Sequence, residues 1–398
     1  MYRFKGDVKL KKICFITNKY PNKIDPNILV FVQQLVWTIA DKGIKCVVIS
    51  PMPVNINPKY FQLPYKDIEK TENGFEVEVY RPKYIGFGQS NLLGFNPSII
   101  TTNAFTNAVD RVINNMKKKP DAIYGHFVTP AGIAAARIGK KYNIDSFMAH
   151  GEATYNTINH FGKERVKKEL STLSGVVAVS SKNKKMLEDI SLVDEQIIEV
   201  FPNGYRKERF YPRDKKMSRE KFNLPEKKFI VGFVGSFDNR KGIQRLMEAV
   251  NELDNAYVIC AGKGNLEPDG DKCLYKGVVN NIDLPFFYSA ADIFVLPTLS
   301  EGCCNAIIEA MACGVPIISS DLSFNDDILD NTNSIRVDPT DNRQIKCAIL
   351  KLKNDAELRK RLSKGSLEKA KELTLTKRAE NIVLFIGKQC QLNKKDVV

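Results

Sequence analysis

Between Leu296 and Asp321 the chain reads LPTLSEGCCNAIIEAMACGVPIISSD. A buried strand should end at Pro297, a loop then carries Glu301 and Gly302, and a helix starting near Asn305 carries Glu309 before Gly314 and Pro316 end it. The first N–H groups of such a helix have no partner inside it, which suits a phosphate or a row of sugar hydroxyls. Glu301 just before the helix and Glu309 about one turn inside it can address different parts of one extended ligand. The plain alternative makes Glu301 an acid favoured by the helix dipole and Glu309 a solvated face residue. Against that, Ala306, Ile307, Ile308, Ala310 and Met311 surround Glu309 with small or apolar side chains.

A second segment, Gly232 to Gly242 (GFVGSFDNRKG), is a strand running into a glycine-containing turn. It matches neither the dinucleotide fingerprint nor the P-loop. Arg240 could grip phosphate oxygens through its fork and Lys241 could supply a point charge; otherwise this is a basic surface turn. A third loop, Ala261 to Gly264, lets backbone approach a base or ribose through Gly262 and Gly264. In the first half, His150-Gly151-Glu152 closes a strand, where side chains of open α/β sheets face ligands; a histidine bonded to its own loop is the alternative. His126 reads as structural and His160 has no claim to function.

The elements that must position these residues alternate along the chain. Strand Lys12 to Thr17, helix Phe31 to Asp41 and strand Cys46 to Ser50 make a parallel unit. Further strands are expected at Phe75 to Tyr80, Asp121 to Tyr124, Ser146 to Ala149, Val176 to Ser180 and Ile197 to Phe201, separated by helices. After a charged linker near 204 to 228 the alternation restarts at Phe229 to Val234 and runs to a helix at Asn342 to Leu352. The expected fold is α/β: an amino-terminal Rossmann-like domain over 1–203, a second Rossmann-like domain over 204–376, and a cleft between them. One long helical stretch, Asp355 to Lys388, is expected to cross back to the first domain, with 377–398 as its returning part and a frayed tail from Asn393.

The chain has 398 residues, 43% apolar and 27% charged, so a folded two-domain protein is expected. Its formal charge of +14 suits an anionic partner. Nine cysteines without a Cys-x-x-Cys pair and three separated histidines argue for a reduced, cytoplasmic protein with no structural zinc. No secretory leader is expected in the first ten residues, and no window spans a bilayer. Basic clusters at Lys9 to Lys12, Lys117 to Lys119, Lys163 to Lys168, Lys182 to Lys185 and Lys207 to Lys228 lack interleaved aromatics, so nucleic acid is not an expected partner. Lys163 to Lys168 and Lys182 to Lys185 could attract an anionic membrane surface, at the inner face of the cell membrane.

The Glu-Gly-x-x-Asn-x-x-x-Glu-Ala-x-Ala-x-Gly-x-Pro pattern from Glu301 to Pro316, with the turn ending Lys241-Gly242, resembles retaining glycosyltransferases of family 4, which have the GT-B fold of two Rossmann-like domains. The resemblance is most specific from Phe229 to Ser320. It implies that Glu309 binds ribose hydroxyls of a nucleotide diphosphate sugar, and that Glu301, Gly302, Cys303, Cys304 and Asn305 hold the donor sugar. It further implies that Lys241 contacts the diphosphate, that His150 lies against the sugar, and that backbone near Gly262 to Gly264 and Gly277 to Val279, Val278 included, forms the base pocket. Three departures stand out. Ser236 occupies the place of the family's usual arginine, which leaves Arg240 to supply the missing cation. The stretch Asp25 to Leu29 lacks the family's paired glycines, and Cys303-Cys304 replaces bulkier residues. The implied activity is transfer of a hexosyl or N-acetylhexosaminyl unit, from a UDP-sugar or from GDP-mannose, to a glycan or lipid-linked acceptor without a metal cofactor. Cell-surface polysaccharide synthesis (capsule or lipopolysaccharide) is the expected setting. A nucleotide-sugar epimerase on the same fold and a basic nucleic-acid or membrane binding module are the alternatives.

Overall fold

A computed structural model describes residues 10–87 and 96–395. Lys9 of the first basic cluster, the first nine residues on which the leader expectation rests, and the last three residues of the tail lie outside the described residues. The chain divides into two compact units, one holding the described residues to Val179 with Asn183–Phe201 and the segment from Ala379, the other holding Ser180–Lys182 and Pro202–Arg378.

The first unit is built on strands β1 (Lys12–Ile16), β2 (Lys45–Ile49), β3 (Met52–Pro53), β4 (Lys66–Lys70), β5 (Glu76–Tyr80), β6 (Lys83–Tyr84), β7 (Ala122–His126), β8 (Asp145–His150), β9 (Gly175–Ala178) and β10 (Ile198–Val200). Eight of them form one sheet in the order β10-β9-β8-β7-β1-β2-β5-β4, and β3 pairs with β6 apart from it. All neighbours in the large sheet are parallel except the β4–β5 edge pair. Strands such as Lys-Ile-Cys-Phe-Ile are apolar at nearly every position, and Ile13, Cys14, Phe15 and Ile16 are buried, because helices cover both faces of a parallel sheet. Strand β4 lies where the sequence reading placed nothing. Its Lys-Asp-Ile-Glu-Lys alternation exposes every second residue, as a charged edge strand should. The segment from Ala379 packs here through Phe385, whose ring meets Phe147 and Phe201.

The second unit is a six-stranded parallel sheet of β11 (Phe229–Val234), β12 (Ala256–Ala261), β13 (Cys273–Gly277), β14 (Ile293–Leu296), β15 (Ile317–Ser320) and β16 (Ser334–Val337), ordered β13-β12-β11-β14-β15-β16. Two expectations are corrected. The charged stretch 204–228 is no linker, since it holds helix Lys215–Lys221 and its Arg219 is buried, donating to Ala290 O and Asp292. The single helix expected over 355–388 is two, Ala356–Ala370 and Leu375–Lys395. Between them Thr374 bridges to Tyr205, and that backbone pairing replaces a helical turn.

Candidate active site

In the second unit the loops after β11, β12 and β14 leave the carboxyl ends of neighbouring strands, so residues far apart in sequence converge. Glu301, in the loop after β14, is the centre of the resulting charge network. Its Oε1 accepts from Lys241 Nζ at 2.7 Å, from Thr298 Oγ1 at 3.1 Å and from Arg240 Nη1. Arg240 also donates to Ser300 O at 3.0 Å, and its backbone carbonyl accepts from Leu299 N at 2.8 Å, which ties the two loops together. Burial alone would lower the Lys241 pKa, but the neighbouring Cys304 and Glu301 outweigh it and hold the pKa above its ordinary value. Lys241 therefore stays protonated despite being largely covered.

The Ser236 hydroxyl is engaged within its own turn. It donates to Asp238 Oδ2 at 2.6 Å, while Asp238 Oδ1 accepts from the Lys241 backbone N–H at 2.7 Å. Burial pushes the Asp238 carboxyl up, and the bonds from Ser236 and Lys241 more than offset that, leaving its pKa below the usual range. Asp238 thus shapes the turn that presents Lys241. Sequence reasoning passed over it, although Asp238-Asn239 shortly before Gly242 has the composition of a turn whose acid bonds to nearby backbone.

Gly262 and Gly264 are required by the protein's own backbone. A Cβ on Gly262 would lie 1.9 Å from Gly235 O, and one on Gly264 would lie 2.3 Å from Phe237 O. Phe237 N–H donates to Lys263 O at 2.9 Å and Gly262 N–H to Gly277 O at 2.8 Å, so the loops after β11, β12 and β13 form one layer. Val278, next along, is exposed.

Helix Asn305–Ala312 begins with Cys304 as N-cap and has no side-chain cap. Asn203 Nδ2 donates to Asn305 Oδ1 at 2.8 Å and to Cys303 O at 3.3 Å, fixing the entry to the helix. Gly302 and Cys304 are buried, Cys303 half-buried. Gly314, at φ +73°, closes the other end, with Val315 N–H donating to Ala310 O. Glu309 on this helix is not a solvated face residue. Tyr288 Oη donates to its Oε2 at 2.8 Å, and burial raises its pKa from 4.5 to about 7, against the opposing effects of Tyr288 and Arg209.

Lys182, counted among the lysines facing an anionic surface, is corrected. It is half-buried, donates to Glu301 O at 3.1 Å and lies over the Phe324 ring, while adjacent Ser181 donates through N–H and hydroxyl to Asp327. Its desolvation lowers its pKa, opposed by Glu301. Lys163, Lys167 and Lys168 are exposed as expected.

In the first unit His150 ends β8 fully buried. Its Nδ1 lies 2.8 Å from Glu152 Oε2, and Nε2 is buried without a hydrogen-bond partner. Glu152 also accepts from Val128 N–H at 2.7 Å and Gly151 N–H at 3.1 Å. Burial pushes the Glu152 carboxyl up, but these bonds, the one with His150 foremost, hold it below its ordinary pKa. An anionic Glu152 makes Nδ1 the protonated nitrogen and leaves Nε2 as a buried acceptor. His126 is enclosed by the rings of Phe31, Tyr124 and Phe127, and His160 lies in helix Asn156–Phe161. Among the described residues no group of three or more His, Cys, Asp or Glu side chains could hold a metal ion.

Two Rossmann-like units, each built on a largely parallel sheet, are the architecture of the GT-B fold. The fold is shared with sucrose-phosphate synthase from Thermosynechococcus elongatus, with a TM-score of 0.73 at 19% identity over 94% of this chain and 97% of that one. It is shared also with Anabaena HepE, solved in complex with UDP and glucose, at a TM-score of 0.68 and 15% identity over 94% and 98% of the two chains. The family model for glycosyl transferases group 1 matches residues 214–369. TuaC of Bacillus subtilis (strain 168), provisionally named a teichuronic acid biosynthesis glycosyltransferase, is 30% identical over 328 residues, covering 78% of this chain and 81% of TuaC. The chain belongs to the group 1 glycosyltransferases and is an enzyme of that class.

Proposed function

We propose that the enzyme transfers a hexosyl or N-acetylhexosaminyl unit from a nucleotide diphosphate sugar, a UDP-sugar before GDP-mannose, to a glycan or lipid-linked acceptor with retention at the anomeric carbon. The observation that carries this reading is the Glu301 network, in which Lys241 and Arg240 share one carboxylate oxygen. Departure of a nucleotide diphosphate leaves negative charge on phosphate oxygens, and preorganised cations lower the energy of that charge in the transition state. Lys241 is the buried point charge, Arg240 the exposed fork, and the start of helix Asn305–Ala312 adds N–H groups. Glu301, already held by two cations and Thr298, is a poor nucleophile and orients the sugar instead. The acceptor proton passes to the leaving phosphate. Glu309 accepts from the ribose hydroxyls, and His150 Nε2 accepts from a sugar hydroxyl. Lys163, Lys167 and Lys168 draw the protein to the cytoplasmic face of an anionic membrane. The UDP and glucose bound by HepE and the polysaccharide role in TuaC's name support the donor and the setting, cell-surface polysaccharide assembly.

The test is a panel of nucleotide diphosphate sugars assayed for donor hydrolysis and for transfer, with the anomeric configuration of the product read by proton NMR. Transfer from UDP-hexose with the donor's configuration retained is expected. An inverted product would refute retention, and no turnover with any UDP- or GDP-sugar would refute the donor class.

A further inference from the structure

The second unit has a strongly basic concavity at the amino-terminal ends of its strands, opposite the ends that carry the Glu301 network. A cavity of about 310 Å³ lies between the chain entering helix Lys215–Lys221, the residues just before β14 and β15, and the first turns of helix Ala356–Ala370. Its charged lining is Arg213, Lys215, Arg359 and Lys360 against one carboxylate, Asp292. That carboxylate is fully engaged, with buried Arg219 at 2.8 Å, Lys215 at 2.8 Å and Ile230 N–H at 2.7 Å. Arg219, outside the lining, already balances the charge of Asp292.

The two arginines are fixed by neutral groups. The Arg213 guanidinium lies 3.5 Å over the Tyr211 ring and 5.0 Å from that of Phe286, and donates to Tyr211 Oη and to Arg209 O. Its Nε is buried with no hydrogen-bond partner. Arg359 donates to Leu352 O and Lys353 O and lies over the Phe229 ring. Carbonyls and ring faces hold a guanidinium in place without cancelling its charge, so its orientation is settled before a ligand arrives. Lys360, on the exposed side of its helix, adds a mobile cation.

We propose that this cavity is a second anion site, separate from the Glu301 network, which takes a phosphate monoester or pyrophosphate group. The chemistry is that of a compact multivalent oxyanion: fixed guanidinium forks for its oxygens, ammonium groups for the remaining charge, and no uncompensated acid to repel it. Strand β14 separates it from the loop of Glu301, four residues at about 3.3 Å each, so both sites can be filled together. The group can be carried by a soluble metabolite or by a lipid headgroup.

The probe is pyrophosphate, titrated calorimetrically into the full chain with ionic strength matched by potassium chloride, and in parallel vesicles containing phosphatidic acid or, as control, phosphatidylserine. Saturable pyrophosphate binding that survives Lys241→Ala is expected, as is a loss of at least tenfold in affinity with Arg213→Gln and with Lys360→Glu. Lys360 is exposed, so its variant should fold normally, which circular dichroism checks. Pyrophosphate binding without selective vesicle binding assigns a soluble ligand, and preference for phosphatidic acid vesicles assigns a headgroup. The proposal is overturned if neither probe binds at matched ionic strength, if Lys360→Glu leaves binding unchanged, or if Lys241→Ala abolishes it. The last result would place the anion in the Glu301 network.

Discussion

The carboxyl ends of the two sheets are prepared in different ways. In the second unit three cations, Lys241, Arg240 and Lys182, converge on one residue, Glu301, at its carboxylate or its carbonyl. In the first unit the corresponding position holds one buried pair, His150 with Glu152, and one unpartnered ring nitrogen. Preorganised cations that share a single acid can turn part of their charge onto an incoming dianion. A buried imidazole held by a carboxylate that also takes two backbone N–H groups is a fixed acceptor. One end is prepared to exchange charge, the other to direct a single hydrogen bond, and this is the division expected between a leaving diphosphate and a sugar.

The harshest test of the charge-exchanging end is Lys241→Ala, which should reduce turnover about 100-fold or more, the scale of losing one transition-state donor. Arg240→Ala should cost less, because that side chain is half exposed. Ser236→Arg in the Arg240→Ala background should restore part of the rate. Unchanged steady-state turnover in Arg240→Ala would reduce the network to Lys241 alone.

At the fixed end, Glu152→Gln should lower kcat by roughly tenfold or more, in line with a positioned polar group in the transition state, while KM for the donor moves little. The chain has three histidines, so nitrogen-15 ring spectra can follow each one. Wild type should show His150 protonated at Nδ1 and the variant a mixture. If the tautomer shifts and turnover does not, His150 is structural.

Glu309→Gln is expected to weaken donor binding by about 1.5 to 3 kcal/mol, the value of a hydrogen bond to a charged group. Donor affinity of wild type should also rise with pH and level off above about 7, where Glu309 is ionised, and calorimetry on the Gln variant should show no such rise. Unliganded stability runs the opposite way. The folded protein holds the Glu309 proton up to about pH 7 and the unfolded chain releases it near 4.5, so this contribution is complete below about 4.5 and is lost as pH rises through 7. Thermal melts of Glu309→Gln should lack that decline.

The smallest effect is expected far from both ends. Reversing Lys163, Lys167 and Lys168 to glutamate should release the protein from anionic vesicles in low salt, at about 1 kcal/mol per lysine, and leave transfer to a soluble acceptor intact. Vesicle retention equal to wild type would make these lysines solvated charge only.

Much of this was legible in the residues. Runs such as Phe229–Val234 and Ile293–Leu296 are apolar at nearly every position, and punctuation by Gly314 and Pro316 marks a helix end, so strand and helix alternation could be read directly. The short strand Ser334–Val337 and the edge strand Lys66–Lys70 escaped because neither carries a continuous apolar run. The break at 371–374 escaped because Lys-Glu-Leu-Thr continues a helical pattern, and only the pairing of Thr374 with Tyr205 interrupts it. The stretch 204–228 looked like a linker because Arg219 is charged; Asp292, 73 residues away, lets it be buried.

The sequence by itself determined the parallel α/β layers, the loop that carries Glu301, the helix that carries Glu309 and the turn that carries Lys241, because periodicity, glycine and proline act over a few residues. Only the tertiary structure decided which charges meet. The order β12-β11-β14-β15 sets the loop of Arg240 and Lys241 beside that of Glu301, some 60 residues on. Tertiary packing also draws Lys182 onto the Glu301 carbonyl and buries Glu309 against Tyr288 until its pKa reaches about 7. Those outcomes depend on desolvation and on distances between side chains remote in sequence, and no local pattern encodes either.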